Sequence, residues 1–304
     1  MIANTWIPGR RFVIGVPYFW LLLFFLLPFL ILVYISFVDM GEDIIPFKPL
    51  WDGNGVLHLK FENYWSVFID PDGGALFDTL YIEAYGRSIL YATATALLCL
   101  IVGYPFAYFM ARAPERLRPG LLMMVMLPFW TSFLLRIYAW KGLLSDYGII
   151  NQGLIAMGLI DEPIHMLYTD ISMLVGMTYV YLPFMVLPLY ATLVKMDVRL
   201  LEAAYDLGTR PLKAFWLITV PLSKSGIVAG SVLVFVPSVG EFVIPSLLGG
   251  PENLMIGRVV WDEMFSSNNW PRATALAVIM IALIVVPLAM YNRAVNARDG
   301  GAAG

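Results

Sequence analysis

The sequence predicts an all-α membrane protein with six transmembrane helices, and three observations carry that prediction. Of its 304 residues, 60% are hydrophobic and only 13% are charged, about half the charged share of a soluble domain. Six predominantly apolar stretches each reach the roughly 20 residues that a helix needs to cross a hydrocarbon core, where backbone amides have no water to turn to. The few Lys and Arg residues also segregate onto alternate sides of those stretches. This composition excludes an ordinary soluble enzyme, and a net charge of −3 offers no basic field for nucleic acid. The single cysteine, Cys99, lies in an apolar run, and His58 and His165 are far apart. Neither a disulfide framework nor a cysteine-based zinc site follows from them.

The apolar runs fall at about 12–38, 88–110, 120–139, 171–194, 226–248 and 273–292, within a single membrane domain covering residues 1–304. The first run is too long for a signal-peptide core and no small-residue cleavage site ends it, so Arg10 and Arg11 read as its cytoplasmic flank. One side of the membrane collects twelve Lys and Arg with five acids, and the other six with sixteen acids. Because positive residues resist translocation, both termini are expected in the cytoplasm. Two charges then remain within helices: Arg136 in the third run and Glu241 in the fifth. An intramembrane carboxylate costs about 2.5–3.5 kcal/mol on insertion scales unless it is paired or faces water, which makes Glu241 a candidate site. It can form an ion pair with Arg136, or it can meet a cationic substrate. Trp130, Tyr138, Tyr179 and Tyr181 are candidates to offer ring faces to such a cation, although interfacial anchoring is the commoner use of Trp and Tyr. Pro237 and Pro245 bracket Glu241 and predict a kink there.

Between the fourth and fifth runs, the cytoplasmic loop 195–225 carries a helix–turn–helix pattern. Leu200, Ala203, Ala204 and Leu207 recur at helical spacing, opposite Arg199, Glu202 and Asp206. Gly208 suits a left-handed helix stop, Thr209 a cap and Pro211 a first turn. Pro221 is expected to end the second helix.

These residues resemble a known signature. Glu202-Ala203-Ala204, Gly208, Ile218 and Pro221 match the EAA loop of ABC-importer permeases, EAA-x3-G-x9-I-x-L-P, with Val220 in place of the consensus Leu. The stretches 17–28, 127–140 and 239–251 with 255–258 are similar to the polyamine importers, most closely their putrescine permeases. The resemblance thins in the loop 39–87 and at both ends of the chain.

The resemblance implies a type I ABC-importer permease fold with cytoplasmic EAA coupling helices, in a bacterial inner membrane. It implies ATP-driven transport of putrescine or spermidine by alternating access. The implied partners are a second, different permease, a cytoplasmic ATPase dimer holding ATP and Mg, a periplasmic polyamine-binding protein and membrane lipid. Around Glu202 to Gly208, the loop would dock on the ATPase, with the two alanines permitting close approach. No cofactor is expected in this chain. It lacks a G-x-x-x-x-G-K-[ST] phosphate loop, a G-x-S-x-G elbow and an H-E-x-x-H pair. A permease for iron, thiamine or an opine is the alternative, and a membrane enzyme a more distant one.

Overall fold

The computed structural model describes residues 8–41, 46–51, 58–69 and 79–301, with residues 8–11 and 290–301 described by backbone only. The side chains of Arg10, Arg11, Arg293 and Arg298 are thus outside the described part, as are Glu42, Asp43, Asp52, Asp70, Asp72 and Asp78 of the acidic loop. In chain order come α1 (Pro8–Leu21), a π turn (Leu22–Leu26), α2 (Leu27–Ser36), α3 (Glu62–Trp65) and α4 (Thr79–Arg112). Next are α5 (Arg118–Met126), a 3-10 turn (Leu127–Trp130), α6 (Phe133–Leu144), α7 (Ile149–Ala156) and α8 (Asp170–Leu193). They are followed by α9 (Arg199–Asp206), α10 (Pro211–Ala214), a second π turn (Phe215–Thr219), α11 (Val220–Leu222) and α12 (Lys224–Val239). Last are α13 (Val243–Leu248), α14 (Ile256–Phe265) and α15 (Trp270–Gly301). Both π turns lie just ahead of a proline, Pro28 or Pro221. A helix losing an amide donor to proline rearranges its turns in this way.

Among the described residues, four helices are long and apolar enough to cross a membrane, and six if each of two bent helix pairs counts as one span. The all-helical architecture agrees with the sequence, but two expected spans are not continuous helices. The third, 120–139, breaks at Thr131 and Ser132, and its arms Arg118–Trp130 and Phe133–Ala156 are bent by 88°. Thr131 is extended (ψ 153°), and its hydroxyl donates to the carbonyl of Pro128 at 2.7 Å. The fifth, 226–248, begins earlier at Lys224, stops at Val239 and resumes only at Val243. Helix α4 begins at Thr79, well before the expected 88, because hydropathy marks only the part of a helix that sits in hydrocarbon.

By contact the chain divides into two compact units, one formed by residues 1–82 with 259–304 and the other by 83–258. In the first, α2 packs on α15, and Ile35, Val38 and Leu50 form a small core with Phe47 and Trp270. Asn63 ties α3 to the end of α2 by donating to the carbonyls of Ser36 and Val38 at 3.0 and 2.8 Å. The second unit holds the main core, which includes Cys99, Ile137, Met173, Met177, Met185 and Leu189, all fully buried. Its most extensive helix pair is α8 with α12, where Gly226 and Gly230 bring the two backbones together. Thr169 and Ser172 form a capping box at the start of α8, and the Ser172 hydroxyl also donates to the carbonyl of Leu248 at 2.6 Å.

Candidate functional site

Two features of the 83–258 unit carry the candidate site residues: a surface helix pair and a carboxylate at a helix break. The helix pair is α9 and the run Pro211–Leu222. Gly208 has φ +79°, and the amides of Thr209 and Gly208 donate to the carbonyls of Ala204 and Tyr205 at 2.9 and 2.8 Å. These are the two bonds of a Schellman stop, so the glycine performs the closing role that the sequence assigns to it. The capping position of the second helix is Arg210 rather than Thr209, with Pro211 in its first turn. Pro221 does not end that helix, which continues to Leu222 before bending by 67° into α12. The packed seam also differs from the expected face. Leu201 and Ala204 are buried with Ala214 against Met196 and Ile218, whereas Leu200, Ala203 and Leu207 are exposed. Helical spacing alone does not separate a face that packs within the chain from one presented outward, and here the apolar arc is wide enough for both.

Beyond the seam, Leu207 is 86% exposed and Leu212, Trp216 and Leu217 are also open. Glu202 and Ala203 lie on the exposed side as well. The pair is anchored at its root: the Tyr104 hydroxyl shares a 2.7 Å hydrogen bond with Ser223, and the Tyr104 ring meets Phe215 edge-on at 5.4 Å. Tyr108 meets Phe215 in the same way at 6.0 Å. Displacement of the helix pair therefore reaches α4 and α12 directly.

The second feature corrects the expected position of Glu241. It lies between α12 and α13, not within a helix. The amides of Val243 and Ile244 donate to its Oε1 at 3.0 and 3.3 Å, and the hydroxyl of Tyr181 donates to its Oε2 at 2.6 Å. The reason lies in α13 itself. The first turn of a helix leaves its amides without intrahelical partners. Pro245 removes one of these donors, and Glu241 accepts from the two that precede it. Gly257 completes the break, because a Cβ there would fall 2.4 Å from the carbonyl oxygen of Gly240 and 2.7 Å from that of Glu241.

Arg136 and Glu241 do not pair. Arg136 instead lies over the rings of Phe129 and Phe133 at 5.5 and 5.9 Å, with its Nε buried and without a hydrogen-bond partner. Amides two and three residues away in sequence reach the carboxylate with little loss of chain freedom, whereas Arg136 belongs to an arm that the break at Thr131 has turned aside. Of the four aromatic candidates, only Tyr181 reaches Glu241, and through its hydroxyl rather than its ring face. Tyr179 packs on Trp140 at 5.6 Å, while Trp130 and Tyr138 are exposed. Sequence reasoning missed the Tyr181 hydroxyl, Gly257 and the Tyr104–Ser223 bond. The break that creates the first of these had a signal, since Gly240-Glu241 shortly ahead of Pro245 is a helix stop followed by a helix start.

The helices, the two bent pairs and the exposed helix pair define a polytopic helical membrane protein, and the comparisons with known proteins give its class. Residues 100–298 match the family model described as "Binding-protein-dependent transport system inner membrane component". The chain belongs to that family, the inner-membrane permeases of ABC transporters. It is 36% identical over 286 residues to the spermidine/putrescine transport system permease protein PotB of Haemophilus influenzae, covering 94% of this chain and 93% of that protein. The corresponding protein of Escherichia coli K12 is 38% identical over 275 residues, covering 90% and 94%. A molybdenum transport system permease protein, ModB of Mycobacterium bovis, is 30% identical, covering 78% and 84%. Among solved structures, a bacterial alginate ABC transporter in complex with its alginate pentasaccharide-bound periplasmic protein matches with a TM-score of 0.67. It is 16% identical and 96% of each chain is covered, so it speaks for the fold.

Proposed function

We propose that this chain is one permease of an ATP-driven importer for putrescine or spermidine. The observation that carries the reading is the 36–38% identity, over 90% or more of both chains, to permeases named for spermidine and putrescine. An intramembrane carboxylate with a free acceptor position supports a cationic cargo. In this reading Glu241 meets the substrate ammonium within the pore, and Tyr181 holds the carboxylate in place. The chain pairs with a second, different permease, and a periplasmic protein delivers the polyamine.

ATP and Mg belong to a cytoplasmic ATPase dimer, because this sequence has no phosphate loop of its own. The exposed face of α9, with Glu202, Ala203 and Leu207, docks on that dimer. The Schellman turn at Gly208 makes the helix pair stiff enough to pass the closure of the dimer on to α4 and α12, and so to drive alternating access. The excess of Lys and Arg on one side supports a cytoplasmic position for the helix pair and both termini.

The test is uptake by the complete transporter reconstituted in liposomes. Putrescine or spermidine is expected to be accumulated, with ATP hydrolysis required, and each to compete with the other. Accumulation of molybdate, iron, thiamine or an opine without competition by either polyamine would overturn the assignment.

A further inference from the structure

An ionised carboxylate has about four lone-pair positions, two on each oxygen, and at Glu241 most of them are taken. Oε1 already accepts from Val243 and Ile244, at 3.0 and 3.3 Å, and is full. Oε2 accepts from Tyr181 at 2.6 Å and has one position left. The residue is partly exposed, and in the proposed reading of Glu241 the pathway meets it at that position. From this geometry we infer a rule of selectivity, which rests on the reading of Glu241 as the cation contact: the site admits one N–H of a primary ammonium and discriminates against a guanidinium. Tyr181 is the positioning residue that sets this discrimination.

The two cations differ in shape. A guanidinium presents donors in a planar fork and is held best when each carboxylate oxygen accepts one of them. Oε1 cannot take its half of the fork, since its two donors are backbone amides fixed by the first turn of α13. They leave only if that turn unwinds. An ammonium is a compact charge with three rotatable donors, and a single acceptor suffices to seat it. Its other N–H groups can keep water on the exposed side. A guanidinium at the same position forfeits the second charge-assisted bond of its fork, which is expected to cost it about tenfold in occupancy.

Tyr181 controls how narrow the opening is. The phenol fixes the free lone pair of Oε2 in one direction, and the ring is held by burial and by Phe184 at 6.2 Å. Tyr181→Phe keeps the ring and removes the donor, so that Oε2 offers two positions instead of one and the penalty on a guanidinium falls.

The experiment uses the full transporter in liposomes with butane-1,4-diamine and its bis-guanidino analogue, 1,4-diguanidinobutane, as paired probes. The ratio of their uptake rates is measured for the wild type and for Tyr181→Phe with the same binding protein. Division of one ratio by the other cancels the binding protein's own preference. The wild type is expected to favour the diamine, and the variant to lose several-fold of that preference while still transporting it. An unchanged ratio in a variant that transports the diamine normally would overturn the inference and leave the polyamine assignment standing. Failure of the wild type to transport the diamine would instead remove the assignment. Should Tyr181→Phe not assemble, the isosteric Glu241→Gln decides: it is expected to lower diamine uptake and abolish the preference, and retention of the wild-type ratio would again refute the rule.

Discussion

Gly208 is the position where a small change should have the largest effect on coupling. Its φ of +79° lies in the left-handed region, while a Cβ placed on it would meet nothing within 4 Å. The cost of a side chain is therefore backbone strain alone, about 1–2 kcal/mol for Ala. That shifts the population of the closed turn by a factor of about 5–30. Asn tolerates left-handed geometry better than other side chains and should lose only a fraction of this. Asp shares part of that tolerance but adds a negative charge beside the exposed Leu207. ATP-driven uptake and co-purification with the ATPase are therefore expected to fall in the order wild type, Gly208→Asn, Gly208→Ala, Gly208→Asp. The thermal stability of the membrane part should stay within a few degrees throughout, since the turn is on the surface. If Gly208→Ala and Gly208→Asp bind the ATPase and drive uptake as the wild type does, the turn is not the coupling element. If Gly208→Asn is as damaged as Gly208→Asp, backbone conformation is not what the glycine supplies.

Other consequences are tested more briefly. Gly257→Ala pushes a methyl group into the carbonyls of Gly240 and Glu241 at 2.4 and 2.7 Å and should cost about 1–3 kcal/mol; unchanged thermal unfolding of the complex would refute the close approach. Tyr104→Phe removes the 2.7 Å bond to Ser223 and should destabilise by about 0.5–1.5 kcal/mol. It should also raise ATP hydrolysis relative to uptake, measured in proteoliposomes; a preserved ratio would show that the root of the helix pair transmits nothing. Asn151 is fully buried, and its side-chain amide bonds both the N–H and the carbonyl of Ile164 at 3.0 and 2.9 Å. Asn151→Leu should therefore release the loop after α7 to limited proteolysis. Hydrogen bonding to Asp39 raises Lys60 above its ordinary 10.5. Its contribution is thus present below that value and lost as pH rises through the raised one, so protection of the α3 segment from proteolysis should fall only in strongly alkaline solution.

The helical class, the number of apolar runs and the Gly208 turn were legible because each depends on local rules. Hydropathy reports which residues tolerate hydrocarbon, and a glycine followed by a helix-starting proline reports a turn. What escaped was where continuous hydropathy conceals discontinuous backbone. The runs 120–139 and 226–248 each pass as one span in an apolar average: Thr131 and Ser132 cost little in it, and Pro237 and Pro245 predict a kink near Glu241 but not the full interruption at Gly240–Phe242. The clue was the charge within one of them. A carboxylate inside a helix has no unpaired amide to accept from, since every turn satisfies its own donors. Beside a helix start it has several. A Glu241 set in a continuous helix would need a distant cation such as Arg136. A Glu241 set before Pro245 has the amides of Val243 and Ile244 as its nearest partners, and the structure uses them. The same logic separates stability from function at this site. Two of the carboxylate's lone pairs close the helix and a third holds Tyr181, so the folded chain already offsets most of the cost of the charge. On the proposed reading only the remaining position meets a passing cation, and a single hydrogen bond suits a transporter, which must release what it binds.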